Sequence, residues 1–143
     1  MPLHTEVSFQ VGTYTDSTKA NVNQRMMLDV SAMNDLTVEA SGTIHLAASA
    51  IAQELSLQSV TMGKLLVVKS DYPVTVLIND DEATPLTLTP RTNSHTGLKT
   101  PGFLAILVDD IESIFLTNPA ASEIWVDFSV VGTTDTPPPP PSA

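Results

Sequence analysis

The 143-residue sequence contains no cysteine. Disulfides, thiolate nucleophiles and cysteine-based zinc sites are therefore excluded together. Aromatic residues are also scarce, with four Phe, two Tyr and one Trp. The core must consequently rest on Val, Leu, Ile and Met.

Basic residues are few as well: six Lys and Arg stand against 16 Asp and Glu, which gives a formal net charge of −10. Such a chain repels phosphate backbones and anionic lipid surfaces, so we expect neither a nucleic acid nor a membrane as partner. The acidic balance favours solubility. It is also compatible with complementarity to a basic protein surface.

Long apolar runs are missing too. No stretch approaches the ~18 residues of a membrane span. The residues Met1 to Glu6 have no basic region followed by an apolar one, so we expect a soluble protein made without Sec-type export. Hydrophobic residues nevertheless make up 42% of the chain. A chain of this length and composition fits one globular domain.

Short runs with period-two alternation recur through the chain, separated by Asn, Asp, Pro and Gly. Strands at a spacing of roughly ten residues are typical of sandwiches and barrels. The sequence therefore predicts an all-β domain over residues 1–132, a single antiparallel β-sandwich or a jelly-roll-like barrel. The alternating or apolar runs begin near Val7, Met26, Leu36, Ile44, Leu55, Leu65, Val74, Leu86, Phe103, Ile114 and Ile124.

Four segments depart from this pattern. Residues 12–24 are polar and predict a long arm or loop between the first two strands. The alanine-rich stretch 46–52 favours a strand or an irregular segment over a helical turn. Residues 90–102 form a second polar insertion. Residues 133–143 form a tail in which five consecutive prolines favour a polyproline II rod of roughly 15 Å.

Residues that could carry chemistry form no recognisable catalytic set. His4, His45 and His95 show no metal-ligand spacing. The acidic clusters 80–82 and 109–112 match no calcium-loop spacing, and they are best explained as charged turns that protect strand edges. Neither a nucleophile elbow nor a phosphate-binding glycine loop is present. We therefore expect no enzyme activity, no metal site and no cofactor.

Binding has better candidates. Trp125 alternates with the apolar residues of the last strand and should lie on their opposite face, either as an exposed anchor or packed against the polar arm or the alanine-rich segment. Tyr14 in the polar arm and the tail are further interface candidates. The tail residues concerned are Pro137, Pro138, Pro139, Pro140 and Pro141.

The second half of the chain has a recognisable pattern of strand-like runs and turns. This pattern includes Gly63–Asp71, Pro73–Asn79, Ile111–Ala120 and Ile124–Phe128. Over roughly residues 60–132 it resembles small β-sandwich virion proteins of tailed bacteriophages, of the head-decoration or minor structural kind. The resemblance implies a protein carried in many copies on the capsid surface, often as a homotrimer, that clamps major capsid protein subunits or other virion proteins. It implies synthesis in the host cytoplasm.

Three alternatives remain open from the sequence. The chain could be a vertex, fibre or tail accessory protein that binds a host receptor or carbohydrate, with residues 90–102 as the candidate loop. It could be a cellular adhesion or lectin-like domain. An enzyme is the least favoured of the three.

Overall fold

The structure, a computed structural model, describes residues 7–14, 22–30, 36–80 and 82–134. These residues contain strands and no α-helix, so the all-β class expected from the alternation is confirmed. The strands are β1 (Val7–Tyr14), β2 (Val22–Val30), β3 (Val38–Leu46), β4 (Gln53–Glu54), β5 (Met62–Ser70), β6 (Val74–Ile78), β7 (Leu86–Leu88), β8 (Arg91–Thr92), β9 (Lys99–Thr100), β10 (Gly102–Ile111), β11 (Ile114–Thr117) and β12 (Ile124–Thr133).

Contacts divide the chain into two compact units, residues 1–36 and 37–143. The first unit contains an antiparallel hairpin in which β1 pairs with β2 from Val7 opposite Val30 to Thr13 opposite Gln24. Both ends of the predicted arm 12–24 are thus paired strand, because Thr13, Tyr14 and Val22 suit an extended, hydrogen-bonded backbone. Residues 15–21 lie outside the described residues.

The second unit contains two four-stranded antiparallel sheets. Sheet I has the order β10-β5-β12-β3, and sheet II has the order β4-β11-β6-β7. The short strands β8 and β9 form a separate hairpin between β7 and β10. Consecutive strands alternate between the sheets through most of this unit, which gives a sandwich-like arrangement.

Side chains from both sheets share one apolar core. The period-two rule sends alternate residues of each strand inward, as in β12, where Ile124, Val126 and Val130 are fully buried. Each such burial contributes about 1.5–3 kcal/mol to folding. The buried cluster comprises Ala40, Leu46, Leu55, Val60, Leu66, Val68, Val74, Val76, Leu88, Ile111, Ile114, Leu116, Ile124, Val126 and Val130.

Two local predictions need adjustment. The runs that begin near Leu36 and Ile44 are not two strands, because β3 continues through Ser41-Gly42 with Gly42 paired opposite Phe128. The alternation at Leu55 and Leu57 is not a strand, since β4 ends at Glu54 and Gln58 has a positive φ of 52°. Leu55 is nonetheless buried, so irregular backbone can bury apolar side chains with the same spacing.

The alanine-rich stretch is irregular after Leu46, in line with the expectation of a strand or irregular segment. Ser49 and Ala52, which follow the end of β3, have positive φ values of 57° and 48°. Among the described residues, no helix is long and apolar enough to cross a bilayer.

Candidate functional site

On the outward face of sheet I, edge strand β10 carries apolar residues and the opposite edge strand, β3, carries polar ones. The strand registers align three rows across β10, β5, β12 and β3. The β10 side contributes apolar residues to every row, whereas the β3 side contributes Thr43, Ser41 and Glu39. In order, the rows are Phe103, Lys69, Asp127, Thr43; then Ala105, Val67, Ser129, Ser41; then Leu107, Leu65, Val131, Glu39.

Trp125 lies on this outward face, at the polar side. Its side chain is 58% exposed, whereas its neighbours Ile124 and Val126 are fully buried. The face predicted from the alternation is therefore confirmed. A half-exposed indole on a regular sheet is a side chain of the kind that dominates protein interfaces.

A cross-strand neighbour orients the indole. His45 is paired opposite Trp125, with ring centroids 4.7 Å apart and planes inclined by 52°. Such tilted aromatic pairs are favourable beyond the area they bury. His45 Nε2 lies 2.8 Å from Glu123 Oε2, so the imidazole is held on both sides. The three side chains form what we call the Trp125 cluster.

Polar groups continue along the face beside this cluster. Thr43 Oγ1 donates a hydrogen bond to Asp127 Oδ1 at 2.6 Å across the β3–β12 pair. Glu123, Asp127 and Glu39 make this half of the face acidic. The surface therefore combines an aromatic anchor with carboxylates, a pattern suited to a partner that presents basic or amide groups.

Asn118 supports the cluster from below. Its side chain is only 1% exposed. Its Nδ2 donates to the carbonyls of Ala47, at 3.0 Å, and Ser122, at 2.8 Å, while its Oδ1 accepts from the Ala120 N–H at 3.0 Å. Asn118 thus joins the loop after β3 to the loop before β12, and these loops begin next to His45 and end at Glu123.

The sequence offered little to identify Asn118. It reads as half of an Asn-Pro strand breaker, and β11 does end at Thr117, directly before it. One of its partners, the Ala47 carbonyl, is 71 residues away along the chain. Only the three-dimensional approach of the two loops shows that the amide is a structural tie.

The polar insertion 90–102 forms the end of the sandwich. Arg91 and Lys99 lie in neighbouring rungs of the β8–β9 hairpin, and Asn93 Oδ1 caps the turn by accepting from His95 and Thr96 N–H groups at 2.8 and 3.1 Å. The hairpin and the half-exposed Tyr72 border an open cavity of about 530 Å³. This concave site holds two of the chain's six basic residues.

The acidic turn at residues 109–112 is held by hydrogen bonds with Asn79 and Lys64. Asn79 Nδ2 donates to the Asp110 carbonyl at 2.8 Å, and its Oδ1 accepts from the Glu112 N–H at 2.7 Å. Lys64 Nζ donates to Asp110 Oδ1 at 2.9 Å. Within the described residues, no group of three or more His, Asp and Glu side chains could hold a metal ion.

The predicted interface residues have different outcomes. Trp125 lies on the exposed face of sheet I. Tyr14 ends β1, in the first unit. Pro137 to Pro141 lie outside the described residues, as does His4. His95 lies in the exposed hairpin turn, apart from the Trp125 cluster.

Comparisons with known proteins add no family: no family model, no curated protein and no solved structure matches this chain.

Proposed function

We propose that this chain is a virion structural protein of the capsid decoration or cement type, which binds and braces neighbouring capsid subunits. The observation that carries the proposal is Trp125, more than half exposed on the outward face of a four-stranded sheet. The resemblance of the second half of the chain to phage head proteins supports a location on the virion. The partner is then the major capsid protein or another virion protein.

The physical case rests on preorganisation. Association costs less free energy when the anchoring side chain is already ordered in the free protein. Trp125 is restrained by His45, His45 is restrained by Glu123, and Asn118 fixes the loop that carries Glu123. A bracing protein gains from this arrangement because each copy adds a similar increment of binding free energy to the shell.

The charge of the face specifies the partner further. Glu123, Asp127 and Glu39 accompany the indole, and the whole chain carries a formal charge of −10. Binding therefore favours a partner surface rich in Lys and Arg. We expect the association rate to fall as salt is added, because exposed charges are screened over about 8 Å at physiological ionic strength.

A second candidate function is supported by the cavity at the end of the sandwich. Tyr72 offers an exposed ring, and Arg91 and Lys99 offer cationic donors beside it. These groups suit an acidic carbohydrate of a host receptor, as in a vertex, fibre or tail accessory protein. Binding to acidic glycans on an array, lost in Arg91→Ala, would favour this function over bracing.

Replacing Trp125 with alanine is expected to weaken capsid binding by about 30-fold, since a central aromatic anchor contributes about 2 kcal/mol. The free energy of unfolding should change by less than about 1 kcal/mol, because the indole is mostly exposed. The measurement is occupancy on capsids assembled without this chain. Tyr72→Ala, which removes another half-exposed ring at the end of the sandwich, is the matched control and should bind normally. Equal occupancy for wild type and Trp125→Ala would contradict the assigned anchor.

A further inference from the structure

Strand β10 forms an edge of sheet I. It pairs with β5 on one side, and no other described strand pairs with it. It spans ten residues, whereas both edges of sheet II, β4 and β7, have two and three. An edge of this length presents a row of unpaired N–H and C=O groups that another strand can bind.

The outward side chains of β10 are apolar where those of the opposite edge are polar. Phe103 is 54% exposed and Leu107 is 48% exposed, with Ala105 exposed between them. Proteins commonly protect an edge strand with charges, prolines or bulges. Here Pro101 precedes the strand and an irregularity in register follows Leu107. The six residues 102–107 between them carry no charge.

This short run is self-complementary in one antiparallel register. Residues directly opposite each other in an antiparallel pair have their side chains on the same face of the sheet. When two identical strands pair in this way, the two-fold axis between them therefore passes through a residue and not between two residues. With the axis at Ala105, Phe103 of each copy lies opposite Leu107 of the other, and Leu104 lies opposite Ile106. Large side chains then flank the small alanine pair at the centre, and Phe103 of each copy contacts Leu107 of the other on the outward face.

Charge selects the same orientation. Lys69 lies beside Phe103 and Lys99 precedes the strand, so its beginning is basic. Asp110, whose carboxylate accepts from Lys64 Nζ, and Glu112 make its other end acidic. An antiparallel copy brings each basic end to the partner copy's acidic end, whereas a parallel copy would place like charges together.

We propose that two copies of this chain pair edge to edge through β10, antiparallel and with the two-fold axis at Ala105. The pairing joins the two copies of sheet I into one eight-stranded sheet. It goes beyond the bracing function and does not depend on it. Because the pairing uses the β10 edge of both copies, it is complete with two copies. It therefore favours a dimer over the homotrimer implied by the resemblance.

Cysteine cross-linking tests the register directly, because the natural chain has no cysteine. In Ala105→Cys the two thiols face each other across the axis, and Cα atoms of opposed strand residues are about 4.5–5.5 Å apart, within the range of a disulfide. Mild oxidation is expected to give covalent dimers at least ten times faster than in Ser41→Cys, the matched variant on the outward face of the opposite edge. Equal rates for the two variants would overturn the proposal.

Sedimentation provides the second readout. At about 100 µM, well above a micromolar Kd, the wild type should have twice the 15.2 kDa chain mass. Ala105→Lys places two like charges opposite each other and should raise the dimer Kd at least tenfold, while Ser41→Lys, with the same change of charge, leaves the Kd unchanged. A wild-type monomer, a trimer, or a dimer that Ala105→Lys leaves intact would each contradict the pairing.

Discussion

Replacing Gly132 with alanine is expected to lower the free energy of unfolding by about 3 kcal/mol. Gly132 lies in β12, the strand between β3 and β5, where the register with β5 shifts and Gly132 meets Gly63. A Cβ atom at this position would overlap the Met62 carbonyl oxygen and lie 2.8 Å from the Gly63 Cα. These are backbone atoms of a central strand pair, so relief requires the strands to separate.

Denaturant unfolding of purified Gly132→Ala and wild type measures this loss. Gly97→Ala is the control: Gly97 has a φ of +72° but nothing within 4 Å of an added Cβ, so it should cost only about 1 kcal/mol of backbone strain. The steric account would be contradicted if Gly132→Ala cost no more than Gly97→Ala.

Replacing Asn118 with aspartate is expected to cost about 3 kcal/mol or more at pH 7. The substitution turns the Nδ2 donor into a carboxylate oxygen that faces the carbonyls of Ala47 and Ser122. Burial and these two acceptors disfavour the charged form, so the pKa of the introduced carboxyl should rise in the folded state. Stability relative to wild type should therefore recover as the pH falls through that raised pKa.

Asn93→Asp is the matched control for the same chemical change. Asn93 uses its Oδ1 as an acceptor for two backbone N–H groups at an exposed turn, and a carboxylate accepts equally well. Unfolding measured against pH should show a large, pH-dependent loss for Asn118→Asp and a small change for Asn93→Asp. Similar losses for both variants would mean that the amide of Asn118 does not tie the two loops together.

Much of the fold could be predicted because period-two alternation is a local property. The runs at Val74, Ile114 and Ile124 each correspond to an observed strand, and the alternation also placed Trp125 on the face opposite Ile124. The strand order could not be predicted, because hydrogen-bonded neighbours such as β12 and β3 are far apart in sequence. For the same reason the edge position of β10 was not foreseen.

The polar arm shows a different limit. Residues 12–24 lack apolar alternation, yet Gly12, Thr13 and Tyr14 are paired with β2. Strand pairing is made by the backbone, so a polar segment can form a strand where its neighbour supplies the register. The proline tail and its role as an interface stay predictions from the sequence.

The bracing function is tested most directly by co-sedimentation of the purified protein with tailed-phage capsids assembled without it. The proposal predicts saturable binding at a fixed number of copies per shell, weakened by added salt and by Trp125→Ala. Absence of binding at every protein concentration, with the protein folded and the capsids intact, would contradict it.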